Sequence, residues 1–205
     1  MTLFARPVRL TQWQLLSTKI TVHVLLTGYL ALLFYAGVTD NLGADPVKAL
    51  IHTSGISSLK ILFITLLVSP LASLLPCGDV IKLRRMLGIY AFVYALSHFL
   101  AYIAFELQFE WSQVVSEIIA RPYITVGFAA LIILTLLTLT SPTVIRRKMG
   151  RRWQTLHNFI FVAGFLIIVH YWWSLKGIDF TALTYAAIGL VLLLLRKNKL
   201  RRLIR

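Results

Sequence analysis

The chain has 205 residues, 59% of them hydrophobic and only 14% charged, with a mean hydropathy of +0.81. Soluble domains carry roughly 25% charged residues, so this composition excludes an ordinary water-soluble globule and points to a polytopic membrane protein. The formal net charge of +14 does not call for nucleic acid, because its distribution along the chain fits membrane topology and attraction to anionic lipid headgroups.

Six apolar segments, each near the roughly 20 residues a bilayer requires, predict an all-α membrane helical bundle in one domain over 1–205. They run approximately 13–36, 54–75, 86–105, 122–141, 154–173 and 178–195. The first is longer than the roughly 7–15 residue core of a signal peptide, and no A-x-A site follows it, so a retained anchor is expected. It holds His23 near mid-membrane, as a ligand, a quinone contact or, the favoured reading, a packing or hydrogen-bonding residue. His52 precedes the second segment and is expected in a solvated outer loop. Lys60, about six residues into that helix, should snorkel to the surface; a salt bridge to a propionate would also suit it. Pro70 and Pro76 predict a bend or fraying at the helix's far end. The lone Cys77 rules out an internal disulfide and a CxxCH attachment site, so any prosthetic group would be held non-covalently. Pro122 suits the first turn of the fourth helix and Pro142 the position just past its end. The last segment is short and would suit a small tilt. Trp13, Trp111, Trp153, Trp172 and Trp173 fall at predicted helix ends, the expected interfacial belt.

Sixteen of the 21 Lys and Arg residues lie in four groups. These are Arg6 and Arg9; Lys82, Arg84 and Arg85; Arg146, Arg147, Lys148, Arg151 and Arg152; and six between Arg196 and Arg205. Six spans place all four groups on one side, which the positive-inside rule makes cytoplasmic, giving an N-in, C-in topology. The opposite loops carry Asp40, Asp45, Lys48, Glu106, Glu110, Glu117, Arg121, Lys176 and Asp179, and are mostly acidic.

Histidine inside a span is costly and therefore a functional candidate. His98 lies in IYAFVYALSHFLAYIAF, and His157 and His170 share WQTLHNFIFVAGFLIIVHYWW. At a rise of about 1.5 Å per residue, His98 and His170 lie roughly 9–12 Å below the outer ends of helices three and five. Such a matched pair suits a haem ligated on both faces; helix-to-helix hydrogen bonding is the alternative. His157 lies about 8 Å from the inner end and about 20 Å from His170, with room for a second redox centre or a hydrogen bond near the interface. The two are about 140° apart on an ideal helix, so either the helix is irregular, with Gly164 the candidate position, or they face different neighbours. Arg84 and Arg85, at the inner end of helix three, are topogenic or clamp a phosphate or propionate.

The segments LGADPVKALIHTSG, KLRRMLG, ARPYITVGF, MGRRWQTLHNFIF and IVHYWWSLK, with the His98 region, carry a resemblance over nearly the whole chain. It resembles the ferric reductase-like transmembrane superfamily, and more specifically the MsrQ (YedZ) family of haem-containing membrane subunits. The resemblance implies an inner-membrane electron-transfer role. Electrons would pass from quinol or a cytosolic flavin reductase, through haem b (one or two) and FMN, to a periplasmic MsrP-type molybdopterin reductase that repairs oxidised proteins. It places the haem histidines at His98, His157 and His170, and flavin phosphate near Arg84 and Arg85. The superfamily commonly has two histidines on helix three, and Arg84 or Arg85 stands at the second position, so a complete second bis-histidine site would need His23 or an exogenous ligand. No NADPH–FAD domain follows helix six, so electrons are expected from a separate donor.

Two other classes stay open on residues alone: a transporter using buried His and Lys60 as a proton or metal relay, and a scaffold in which histidines link helices. All seven acids fall in predicted loops or at helix ends, which disfavours the relay. No nucleophile–base arrangement or molybdenum ligand is visible, so no catalytic residue is assigned.

Overall fold

A computed structural model describes residues 9–74, 77–175, 177 and 179–195. All regular structure among them is helical, in two compact units, 1–108 and 109–205. Five stretches are long and apolar enough to cross a membrane: Gln12–Val38, Pro46–Leu74, Gly78–Glu106, Pro122–Leu139 and Arg151–Ser174; Phe180–Leu194 is a shorter apolar helix. The chain is a multi-pass membrane protein. The last basic group, Arg196 to Arg205, lies outside the described residues, as do Arg6, Pro76 and Lys176.

The first unit is built on α1 (Gln12–Val38), α2 (Pro46–Leu74) and α3 (Arg84–Ala101). A capping box starts α1: Thr11 accepts from Gln14 N–H, and the Gln14 side chain accepts from Thr11 N–H, satisfying two donors the first turn leaves open. The second helix begins eight residues before the expected position. Asp45 caps it, accepting the Lys48 N–H at 3.1 Å, and Pro46 fills the first helical position, where its missing N–H costs nothing. The Lys48 side chain also bonds to Asp45, and these bonds hold the Asp45 carboxyl below its ordinary value. His52 is therefore not in a loop, as expected, but within α2; Lys60 lies about four turns in rather than near the end. The helix runs on past Pro70 to Leu74, and Ser73 Oγ donates to the Pro70 carbonyl.

Small residues let α2 and α3 approach closely. Ser58, 4% exposed, donates to Ala91 O at 2.8 Å, and Ala91 is fully buried. Tyr94, also fully buried, donates to Leu26 O of α1 at 2.6 Å. At the other end Leu10 N–H donates to Asp79 Oδ2 at 2.9 Å, and Lys82 pairs with Asp79. The basic groups flanking α1 and α3 thus share one end of this unit, as the charge pattern requires. Past α3 the helix widens into a π turn, Tyr102–Glu106.

The second unit comprises α4 (Trp111–Ala120), α5 (Pro122–Leu139), α6 (Thr143–Met149), α7 (Arg151–Asn158), α8 (Ile160–Ser174) and α9 (Phe180–Leu194). Pro122 opens α5 as expected, and the Thr125 hydroxyl donates back to Ile118 O, fastening α4 to α5. The outer stretch read as loop thus contains the helix α4. Gly150 turns the chain between α6 and α7 at φ 56° and ψ −127°, a conformation open in practice to glycine alone. The fifth predicted span is two helices. The break falls at Phe159, whose N–H bonds to Leu156 O at 3.0 Å, and not at Gly164, which is buried inside α8.

Candidate functional site

His98 sits in the last turn of α3 and turns its imidazole onto α2. Its Nδ1 lies 2.7 Å from Ile51 O; a carbonyl has no proton to give, so Nδ1–H is the donor. His170, in α8, does the same to α5: Nδ1–H donates to Tyr123 O at 2.7 Å. Both histidines are thereby fixed in one tautomer, and Nε2 is the nitrogen each would offer to a metal. Each ring also lies against a glycine of the accepting helix, His98 against Gly55 and His170 against Gly127. A haem needs imidazole presented in this way, and the residues fit that group.

His157 is held differently. Thr140 has one hydroxyl proton, given to Leu136 O at 2.7 Å, so towards His157 it accepts. The His157 Nε2–H therefore donates to Thr140 Oγ1 at 3.0 Å. Trp153 stacks on the same imidazole at 3.8 Å and gives its Nε1–H to Thr140 O. Arg146 lies over the Trp153 ring at 4.9 Å from its centroid, a cation–π contact. His157 is thus knitted to the junction of α5 and α7, and the hydrogen bond weighed for it near the interface is present.

His23 is also hydrogen-bonded, as favoured from sequence: its Nδ1 is 2.8 Å from Tyr90 OH, which Thr27 Oγ1 approaches at 2.7 Å. Arg84 and Arg85 form the first turn of α3, Arg85 exposed and Arg84 half-buried. Residues missed by sequence reasoning are Ile51 and Tyr123 as carbonyl acceptors, the glycines facing both rings, and Thr140 with Trp153 around His157. The common separation of 47 residues between acceptor and histidine is the signal that could have exposed the first four.

The family model described as "Ferric reductase like transmembrane component" matches residues 54–169. A protein of Salmonella arizonae named protein-methionine-sulfoxide reductase heme-binding subunit MsrQ is 43% identical over 198 residues, covering 95% of this chain and 98% of that protein. Proteins of the same name from Salmonella paratyphi B and Salmonella heidelberg are 42% identical with the same coverage. No solved structure matches.

Proposed function

The chain belongs to the ferric reductase-like transmembrane family and, within it, to the MsrQ heme-binding subunits; from that premise we propose a haem b electron-transfer subunit of a methionine sulfoxide reductase system in the bacterial inner membrane. The observation that carries the proposal is the shared posture of His98 and His170, each anchored through Nδ1–H to a helix carbonyl at 2.7 Å. Haem iron, when bound, moves between ferric and ferrous and so passes one electron at a time. The chain's own residues would hold and tune it: His98 and His170 would each offer Nε2 to iron, with ring orientation fixed and ligand basicity raised by the carbonyls at Ile51 and Tyr123.

His157 lies apart in role. A flavin or a second haem would lie beside it. Arg84 and Arg85 are assigned to the phosphate of FMN, where two guanidinium groups together favour an anion. Electrons enter from quinol or a cytosolic flavin reductase and leave to a periplasmic MsrP-type molybdopterin reductase, which supplies the sulfoxide chemistry. Reducing one sulfoxide takes two electrons, so a one-electron carrier would have to deliver twice. The short apolar α9 makes a sixth span, with both termini cytoplasmic.

The test is haem content and electron paramagnetic resonance of the purified protein. Wild type should show low-spin haem, and His98→Ala and His170→Ala should each lose it. A normal low-spin signal retained in either variant overturns the ligand assignment.

A further inference from the structure

The two histidine anchors are one arrangement used twice. Ile51, Gly55 and His98 in the first unit recur in step as Tyr123, Gly127 and His170 in the second. The hydrogen-bonded pair is 47 residues apart in both, and in both a glycine stands one helical turn after the accepting carbonyl. Core positions follow the same step: Leu62 with Leu134, and Ala91 with Ala163, all at most 2% exposed. A Cβ added at Gly55 would lie 3.0 Å from His98 Nδ1 and 3.1 Å from Cε1; at Gly127 it would lie 2.6 and 2.8 Å from the same atoms of His170.

Helix geometry explains why the residue one turn on has to be glycine. A helical carbonyl is aimed at the N–H one turn further along, while each Cα–Cβ bond tilts back towards the N-terminus. The Cβ of the residue one turn on therefore overhangs the carbonyl. Removing it uncovers the second lone pair of an oxygen already used within the helix, and an imidazole can reach it from the neighbouring helix.

We propose that Gly55 and Gly127 are positioning residues for the two haem ligands, each opening the carbonyl that locks its histidine. This rests on the haem reading above. A bond from Nδ1–H to a carbonyl makes Nε2 a stronger donor, which favours ferric iron and holds the midpoint potential down. Displacing either ring from its carbonyl should move the potential upward and change the ligand field, with haem still bound.

The experiment uses the full chain, purified with haem in detergent, as Gly55→Ala, Gly127→Ala and the control Gly28→Ala. Gly28 has nothing within 4 Å of an added Cβ. Gly127→Ala should shift the low-spin g values and raise the midpoint potential; Gly55→Ala should do the same to a smaller degree, its contact being milder; Gly28→Ala should match wild type. Wild-type g values and potential in both test variants overturn the proposal and leave the haem reading standing. A wild-type preparation without haem overturns that reading instead. Should Gly127→Ala fail to accumulate in membranes, Gly55→Ala decides alone: shifted g values support the proposal and unshifted ones sink it.

Discussion

Replacing Thr140 with Val keeps the side chain's shape and removes its oxygen. The carbonyl of Leu136 retains the Thr140 N–H, so the loss falls on His157, whose Nε2–H gave its proton to that hydroxyl at 3.0 Å. The imidazole has no easy retreat, since Trp153 stacks on it and is itself tied to Thr140 O, a bond Val would preserve. A donor stranded in a half-buried place costs about 1–3 kcal/mol. At roughly 2–4 °C per kcal/mol for a chain of this size, Thr140→Val should lower the unfolding midpoint by about 2–12 °C. Tryptophan fluorescence during a thermal ramp in detergent reads this, and the haem spectrum is recorded alongside. The low-spin signal assigned to His98 and His170 should not change. A double-mutant cycle with His157→Ala isolates the pair: the cost of Thr140→Val should largely vanish in that background. An equal cost with and without the imidazole would refute the assigned bond, and the tautomer with it.

A reporter active only in the periplasm should give signal when inserted near Glu110 and none when fused to Arg205; signal from the C-terminal fusion would reverse the topology. Replacing Arg84 and Arg85 together with Gln should lower FMN retention while the haem spectrum stays intact, and unchanged flavin at normal expression would return both residues to a purely topogenic role.

Five spans were legible because hydropathy is a strong signal, and the histidines because polar groups stand out in apolar runs. The start of α2 was also written in the chain: Asp45 followed by Pro46 is a capping residue before a first-turn proline, and its apolar signal is diluted by His52 and the serines that follow. Those serines are interior, with Ser54 fully buried and bonded to Leu50 O, so their polarity is spent within the helix. The break at Phe159 has no proline or glycine to announce it. Beside it Asn158 is buried and accepts from Gln154 Nε2 at 2.8 Å, a contact that sequence cannot foresee. Gly55 and Gly127 read as ordinary small residues in membrane helices; their common place, one turn after the carbonyl that a histidine reaches, gives them a shared meaning.

The π turn after α3 has a consequence for insertions and deletions. A π turn holds one residue more than the α-helix it interrupts, and its closing bond runs from Leu107 N–H to Tyr102 O at 3.0 Å. Removing a single residue between Tyr102 and Glu106 would return that turn to α geometry and leave everything before it unmoved. The same deletion upstream, between Arg84 and His98, would rotate His98 by about 100° around its axis, away from Ile51. The frame of α3 is therefore rigid on the side that aims the imidazole and has slack just beyond it. Length variation can be absorbed at the C-terminal end of this helix without disturbing the histidine one turn before it.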